Sequence, residues 1–272
     1  MRILITGNRG FVGTHLVKLL KGGYELYGAD RKDGLDITSN DFLFSASKIK
    51  PDLIVHLAAT CSTSKSLKDP VQDFKDNALG TLMVCEVARI TGAKILYTSS
   101  CKVEPNPDLL RTPYGLSKYV GELYIQEYCG LYGIEYVINR PGTIYGPGQD
   151  ASPESGWLSW FIKAKKENLP VVVSGTGRQT RDVLWVEDYV ALLVDQVKNW
   201  KKYQGLTYDV GGGIENEVSL LQVLKFIGYR NYKFGPPRLG DVKHFVSDNK
   251  LLSFQGNWKP KVGWKEGIKK LL

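Results

Sequence analysis

The chain has 272 residues, 43% hydrophobic and 24% charged, a balance that is ordinary for a globular protein. Its net charge is +8, but the basic residues are spread along the chain, and their densest group, Lys163, Lys165 and Lys166, lies on a polar helical stretch. Composition therefore argues against a nucleic-acid partner and is compatible with an anionic diphosphate ligand.

Cysteine and histidine are too scattered to predict a metal site. The four cysteines show no CxxC spacing, and the three histidines lie far apart in the chain. We therefore expect no metal and a reducing, cytoplasmic compartment. The chain starts with a strand pattern rather than an apolar leader, and no apolar run approaches the roughly 18 residues of a membrane span. We expect neither export nor membrane insertion.

Short apolar runs in the first half predict buried parallel strands. The runs are Arg2 to Thr6, Tyr24 to Ala29, Leu53 to Leu57, Lys94 to Thr98 and Glu135 to Asn139. Helical patterns separate them at Phe11 to Lys21, about Asn40 to Ile49, Val71 to Thr91 and Tyr114 to Tyr132. This order predicts βαβ units with right-handed crossovers, and therefore an α/β fold with a Rossmann-type doubly wound parallel sheet.

The alternation weakens after Gly148. The remaining pattern predicts a helix from Trp157 to Glu167, a strand from Val171 to Val173, a helix from Glu187 to Asn199 and a strand from Leu206 to Val210. These elements and the proline-containing C-terminal part predict a small C-terminal α/β lobe.

A glycine-rich segment lies between the first predicted strand and the first predicted helix. It reads Gly7-Asn-Arg-Gly10-Phe11-Val12-Gly13. Glycine suits a tight turn, close approach of the backbone to a pyrophosphate and close packing of helix on strand. A glycine string by itself is as often an ordinary turn, but this placement predicts dinucleotide binding.

Asp30 ends the second predicted strand. A carboxylate there can accept both hydroxyls of an adenosine ribose and repels a 2′-phosphate, which favours NAD over NADP. Arg31 keeps NADP open, because a guanidinium can bind that phosphate. The alternative interpretation of Asp30 is a turn aspartate without a ligand.

Tyr114 and Lys118 are spaced to act together. They lie on one helical face, about 5 to 6 Å apart at Cβ. A neighbouring ammonium favours the phenolate, which can take a proton from a hydroxyl while hydride leaves the carbon. Ser100 follows the fourth predicted strand, where it can hydrogen-bond the same hydroxyl. Such pairs usually lie on the surface and such serines usually cap turns, so the prediction depends on their occurrence together.

Together these features resemble the extended short-chain dehydrogenase/reductases, and among them the NAD-dependent epimerase/dehydratase family. The resemblance covers nearly the whole chain and includes further segments: Asp36-Ile37, His56-Leu57-Ala58-Ala59, Asn77 with Gly80-Thr81, Arg140-Pro141 to Gly148, Arg181 to Asp188 and Arg238 to Asp241.

The resemblance implies roles for individual residues. The catalytic triad is Ser100, Tyr114 and Lys118. Tightly bound NAD+ is contacted by Gly7, Gly10, Phe11, Val12, Gly13, Asp30, Arg31, Asp36, Ile37, Leu57, Ala58, Ala59, Asn77, Tyr114, Lys118 and Pro141. The substrate is contacted by Cys101, Thr143, Trp157, Arg181 and Arg238. The two arginines stand where relatives grip a diphosphate, with a structural ion pair as the alternative.

The chain looks most similar to CDP-tyvelose (CDP-paratose) 2-epimerases. We therefore expect a nucleotide-sugar epimerase that forms a transient keto-sugar and returns hydride to its opposite face. A UDP-glucose/galactose 4-epimerase is the close alternative; a net nucleotide-sugar oxidoreductase and a non-catalytic NAD-binding sensor are others. Related dehydratases carry Asp and Glu after the triad serine, where this chain has Cys101 and Lys102. Cys101 also resembles the cysteine acid of GDP-fucose synthases, the alternative being an inert side chain.

The resemblance also implies domain organisation and assembly. We expect an NAD-binding Rossmann domain of residues 1–150 with about 180–212, and a substrate lobe of about 151–179 with 213–272. We expect a homodimer formed through the helices near residues 71–91 and 114–132. The path between Val103 and Tyr114 is shorter than in relatives, which we expect to widen the sugar pocket.

Overall fold

The computed structural model describes residues 1–104, 111–256 and 258–272. Their contacts group them into two units. The first contains Met1–Glu104, Arg111–Arg140 and Val190–Tyr208, and the second contains Pro141–Tyr189 and Asp209–Leu272. The domain boundaries given above remain a prediction. Residues 105–110 of the short path before Tyr114 lie outside the described residues. The expected widening of the sugar pocket depends on this segment and stays a prediction.

The predicted parallel sheet is confirmed. The described strands are β1 (Arg2–Thr6), β2 (Glu25–Ala29), β3 (Leu53–His56), β4 (Lys94–Thr98), β5 (Tyr136–Pro141), β6 (Thr143–Tyr145), β7 (Val171–Ser174), β8 (Thr180–Trp185), β9 (Thr207–Val210), β10 (Glu217–Ser219), β11 (Tyr232–Gly235) and β12 (His244–Phe245). Six of them form one sheet in the order β2-β1-β3-β4-β5-β9, and the neighbours from β2 to β5 pair in parallel. The side chains of Ile3, Ile54 and Leu96 are fully buried, as expected for a sheet covered on both faces.

The described helices are α1 (Phe11–Leu20), α2 (Asn40–Ile49), α3 (Thr63–Lys68), α4 (Pro70–Phe74), α5 (Gly80–Thr91), α6 (Pro113–Tyr132), α7 (Trp157–Glu167), α8 (Val186–Lys198), α9 (Trp200–Tyr203), α10 (Leu220–Phe226), α11 (Lys250–Gly256) and α12 (Trp264–Leu271). The single helix predicted from Val71 to Thr91 is wrong in detail. Asp69 caps α4, Pro70 occupies its first turn, and a π-helical turn, Lys75–Leu79, separates α4 from α5. Helix α3 was not predicted; its apolar periodicity is too short to read.

The sheet reverses its order of addition at β1. The chain places β2 on one side of β1 and β3 on the other, which creates a crevice beyond the carboxyl ends of β1 and β3. Gly7 follows β1 with a φ of +70°, and a Cβ atom there would lie 2.8 Å from the backbone nitrogen of Ala58, which follows β3. Only glycine lets the two strand ends approach this closely.

The second unit has smaller sheets. Strand β8 pairs with β10, β12 and β6, and β7 pairs with β11. Aromatic side chains such as Tyr145, Phe161 and Trp185 form its core with aliphatic residues. Strand β8 was not predicted, because its Arg181-Asp182 pair interrupts an apolar pattern although both residues are buried. Among the described residues, no helix is both long and apolar enough to cross a membrane.

The close approach at Gly7 predicts a large effect of Gly7→Ala on stability. Gly22→Ala is the matched control, since Gly22 also has a positive φ, +89°, but nothing within 4 Å of a new Cβ atom. We expect the control to lose roughly 1–2 kcal/mol of unfolding free energy from backbone strain. Gly7→Ala should lose clearly more, because the Ala58 backbone must also move. Urea unfolding measures both, and equal losses would contradict the steric argument.

Candidate active site

A cleft of about 230 Å³ lies beyond the carboxyl ends of β1, β2 and β3 in the first unit. It brings together many of the predicted cofactor residues, namely Gly7, Gly10, Asp30, Arg31, Ile37, Leu57, Ala58 and Ala59. It is also lined by residues that sequence reasoning missed, Ala29, Lys32, Leu35 and Asp76. Each of the four is next in sequence to a predicted cofactor residue.

Other predicted cofactor residues do not line this cleft. Phe11, Val12 and Gly13 belong to the first turn of α1. Asn77 is buried in the π-helical turn, and its Oδ1 accepts a hydrogen bond from the backbone nitrogen of Thr60 at 2.9 Å. Pro141 ends β5 and is grouped with the second unit.

The carboxylate of Asp30 is held in the cleft by backbone groups. It accepts hydrogen bonds from the nitrogen of Lys32 at 2.9 Å and from that of Arg9 at 3.1 Å. The bond from Lys32 caps the short 3₁₀ turn Arg31–Asp33 that follows β2, and the bond from Arg9 ties Asp30 to the glycine-rich segment after β1. The carboxylate is thereby fixed at the end of β2, where ribose hydroxyls are expected.

Arg31 is engaged by two other carboxylates. Its Nε lies 2.7 Å from Asp36 Oδ2, and its Nη2 lies 2.6 Å from Asp76 Oδ1. Hydrogen bonds to Asp76 and then Asp36 raise the pKa of Arg31. A 2′-phosphate would have to compete with both carboxylates for this guanidinium, which favours a cofactor without that phosphate. Asp36, predicted as a cofactor contact, is an ion-pair partner of Arg31.

The predicted triad comes together in the first unit. Ser100, Tyr114 and Lys118 are each less than one-tenth exposed. Ser100 and Tyr114 form a side-chain hydrogen bond. Ser99 is also buried, but its hydroxyl has no hydrogen-bond partner in the described part of the chain. Of the two serines after β4, Ser100 is the one whose side chain interacts with Tyr114.

The ammonium of Lys118 lies over an aromatic ring. Its Nζ lies 4.2 Å from the centre of the Tyr97 ring. The imidazole of His56 stacks on this ring, with 5.2 Å between the ring centres. The pKa of Lys118 is lowered to about 8, because the effect of burial exceeds the opposite effects of Cys61, Glu122 and Asp73. Burial and then Lys118 lower the pKa of His56, so the imidazole is neutral at pH 7. Lys118 is therefore the cation of this cluster.

The phenol of Tyr114 is protonated in its buried setting. Burial raises its pKa well above the ordinary value, Cys61 and Cys101 raise it further, and the hydrogen bond with Ser100 lowers it. A phenol in this state becomes a base only when positive charge stabilises the phenolate. Lys118, one helical turn away, supplies such a charge.

Cys101 lies directly after Ser100 in the 3₁₀ turn Cys101–Val103. The backbone nitrogen of Lys102 donates to Ser100 Oγ at 3.2 Å, so the turn also orients the triad serine. Related dehydratases carry carboxylic acids at the positions of Cys101 and Lys102, and this chain has neither acid.

The second unit brings together three of the predicted substrate residues. Trp157, Arg181 and Arg238 line a cleft of about 80 Å³, whereas Thr143 on β6 does not line it. Arg181 is buried and donates to the carboxylate of Asp241 and to the carbonyl oxygens of Thr180 and Val242.

Arg238 is more exposed than Arg181. It donates to Ser174 Oγ at 3.0 Å and to the carbonyl oxygen of Pro153 at 2.6 Å. Both guanidinium groups are thus held in place by protein oxygens. No group of residues in the described ranges is arranged to hold a metal ion.

Comparison with known proteins agrees with this architecture. The model of the NAD dependent epimerase/dehydratase family matches residues 3–211. The chain is 30% identical over 331 residues to the CDP-paratose 2-epimerase of Salmonella typhi, covering 100% of this chain and 98% of that protein. It is 32% identical over 305 residues to the UDP-glucose 4-epimerase of Mycolicibacterium smegmatis, covering 99% and 97%.

A solved structure gives the same result. The UDP-glucose 4-epimerase of Thermus thermophilus in complex with NAD superposes with a TM-score of 0.84 at 28% identity, covering 99% of this chain and 97% of that one. The resemblance seen in the motifs is confirmed, and the chain belongs to the NAD-dependent epimerase/dehydratase family, a family of enzymes that act on nucleotide-sugars.

Proposed function

We propose that this protein is a nucleotide-sugar epimerase that uses tightly bound NAD+ and acts through a transient keto-sugar. The observation that carries the proposal is a buried cluster of three side chains. Ser100 is hydrogen-bonded to Tyr114, and Lys118 lies one turn after Tyr114 on α6. Cys101 and Lys102 follow the serine, so the acid pair that drives elimination in related dehydratases is missing.

The residues of the cluster divide the work on one sugar hydroxyl. Ser100 donates a hydrogen bond to its oxygen, and the phenolate of Tyr114 accepts its proton. The C–H and O–H bonds break while a C=O bond forms, and the hydrogen leaves carbon with its electron pair. Return of the hydride to the opposite face of the same carbon, with return of the proton to the oxygen, inverts the carbon. Lys118 stabilises the phenolate throughout.

Several features of the first unit fit NAD. The glycine turn at Gly7 lies at the carboxyl end of β1, where a pyrophosphate is expected, and Asp30 presents a fixed carboxylate for ribose hydroxyls. When bound, NAD+ supplies the acceptor for the hydride. The pairing of Arg31 with Asp36 and Asp76 supports NAD rather than NADP.

We propose that the second unit recognises the nucleotide part of the substrate. Arg181 and Arg238 would bind the diphosphate, and Trp157 would contact the nucleotide or sugar. Their joint presence in one cleft supports this assignment. Epimerisation at the sugar C2 is our first choice, because of the motif resemblance to CDP-paratose 2-epimerases. Epimerisation at C4 is the second candidate, supported by the similarity to UDP-glucose 4-epimerases.

A panel of nucleotide-sugars tests the function. With CDP, UDP, GDP and dTDP donors, we expect one to give an epimer detectable by NMR, without net absorbance change at 340 nm. Tyr114→Phe should lower kcat roughly 100- to 10,000-fold because it removes the base. Tyr124→Phe makes the same change at an exposed position of α6 and should leave kcat unchanged. Net NADH accumulation, or full activity of Tyr114→Phe, would refute the mechanism.

The cleft geometry predicts that Asp30→Ala weakens NAD binding. The variant loses two hydrogen bonds from ribose hydroxyls to a carboxylate. Each contributes about 1.5–3 kcal/mol when buried and less near solvent, so the affinity should fall at least tenfold. Asp33→Ala is the control, since Asp33 pairs with Arg9 and does not line the cleft. Calorimetric titration of the NAD-free protein measures both. An affinity unchanged by Asp30→Ala would remove the proposed ribose contact.

We also propose that the protein is a cytoplasmic homodimer. The four cysteines form no disulfide, as in a reducing compartment. Large apolar side chains are exposed along the helices predicted to pair, including Val71, Phe74, Ile90, Leu123 and Leu131. Exposed apolar surface of this kind is characteristic of protein interfaces.

The dimer is tested by placing charge on the apolar face of α6. Leu131, 73% exposed, can change to Glu without loss of core packing, and Leu131→Glu should shift the protein from dimer to monomer in sedimentation velocity. Phe254→Glu is the control, because Phe254 is 87% exposed but lies on α11. A wild-type protein that is monomeric at micromolar concentration would contradict the proposal.

A further inference from the structure

Asp73 is a buried carboxylate to which nothing above gives a role. It lies on α4 and is 3% exposed. Its Oδ2 accepts a hydrogen bond from Ser117 Oγ at 2.6 Å, and its Oδ1 accepts one from Asn77 Nδ2 at 3.1 Å. Both donors are neutral, and within the described ranges Asp73 forms no ion pair. In a low-dielectric interior, the charge of such a carboxylate acts strongly on other charged groups nearby.

The hydrogen bond to Ser117 anchors Asp73 to the turn of α6 that carries Tyr114 and Lys118, which we call the catalytic turn. Ser117 directly precedes Lys118, and its hydroxyl also lies 3.0 Å from the carbonyl oxygen of Tyr114. Asn77 Nδ2 lies 3.1 Å from the same hydroxyl. Asp73 is thus linked through one side chain to the helical turn that carries both Tyr114 and Lys118.

Some of the groups near Lys118 are neutral and others are carboxylates. Tyr97 and His56 are neutral, and burial raises the pKa of Tyr97 while burial and then Lys118 lower that of His56. The carboxylate of Glu122 is held by the guanidinium of Arg140, with Nη2 2.7 Å from Oε2.

Besides Glu122, Cys61 and Asp73 act on the ammonium and raise its pKa. Burial raises the pKa of Asp73 and the charge of Asp76 adds to this rise, whereas the hydrogen bonds from Ser117 and Asn77 and the charge of Lys118 favour the carboxylate. Of the two carboxylic acids that raise the pKa of Lys118, Glu122 is paired with Arg140, whereas Asp73 has no ion pair in the described part of the chain.

We propose that Asp73 is a positioning residue of the site: through Ser117 its carboxylate fixes the catalytic turn of α6, and its charge keeps Lys118 protonated. The effect on turnover rests on the proposed function, whereas the effect on Lys118 does not. Asp73 touches neither the sugar nor the cofactor in this assignment; it acts through Lys118.

The test replaces the charge but keeps the shape, with Asp73→Asn. Loss of the negative charge lowers the pKa of Lys118, so the ammonium is lost at lower pH and the alkaline limb of the kcat profile moves to lower pH. We expect about a fivefold loss of kcat at pH 8 and little loss at pH 6, as a nearby opposite charge shifts a pKa by about one unit or more. A purely structural role would lower kcat equally at both pH values.

Asp69→Asn is the matched control. Asp69 is an exposed carboxylate on the N-cap of the same helix, and Asn is an equally good cap, so its pH profile should equal that of the wild type. Asp73→Ser, which is smaller and equally neutral, repeats the test if the Asn variant does not fold.

A second readout separates this inference from the proposed function. In lysine-labelled protein, the 13Cε signal of Lys118, assigned with Lys118→Met, reports its titration without any substrate. The proposal predicts that this signal titrates at lower pH in Asp73→Asn than in the wild type. An unchanged titration overturns the role of Asp73 even if the protein is an epimerase. A sugar panel without product overturns the epimerase and leaves the titration result valid.

Discussion

Burial of a charged lysine constrains the whole centre of the first unit. Lys118 is 1% exposed, and a buried charge costs several kcal/mol unless its surroundings compensate for it. The face of Tyr97 lies 4.2 Å from the ammonium, and carboxylates of Glu122 and Asp73 raise its pKa. The same burial that is costly for Lys118 keeps water away from Tyr114. In this low-dielectric setting the interaction between ammonium and phenolate is far stronger than it would be at the surface.

One helical face connects this charged centre to the dinucleotide cleft. Asp73, Asp76 and Asn77 are spaced as neighbours on a helix, and all three are buried. Asp73 is bonded to Ser117 beside the triad, while Asp76 is paired with Arg31 in the cleft. The segment formed by α4 and the π-helical turn therefore orders both the proposed catalytic groups and the acidic rim of the cleft. This explains why a short, interrupted helix carries so many buried polar groups.

The two arginines of the second unit are fixed in a comparable way. Arg181 contacts one carboxylate and two carbonyl oxygens, and Arg238 contacts a hydroxyl and a carbonyl oxygen. Such contacts lower the entropy lost when a guanidinium binds an anion, because its rotamer is already set. Asp241 also reduces the net charge of the cleft. Under the proposed function, a diphosphate would meet arginines that are oriented in advance but partly neutralised.

Local chemistry explains what the sequence by itself determined. The strands β1 to β5, the helix from Asn40 to Ile49, the glycine turn and the spacing of Tyr114 and Lys118 all follow from short-range signals. The structure has the strands within two residues of their predicted ends. Periodicity failed at residues 63–79, where a Pro-containing cap and a π-helical turn interrupt the helix, and at β8, where buried charged residues break the apolar pattern.

Only the tertiary structure decided which partners the charged groups have. The sequence left open whether Arg31 would accept a phosphate, and folding pairs it with Asp76, 45 residues away. It also left open whether Arg181 would form a structural ion pair, and folding brings Asp241 to it across 60 residues. Asp73 meets Ser117 across 44 residues. Such pairs depend on how helices and strands pack, and packing joins residues whose separation in the chain carries no local signal.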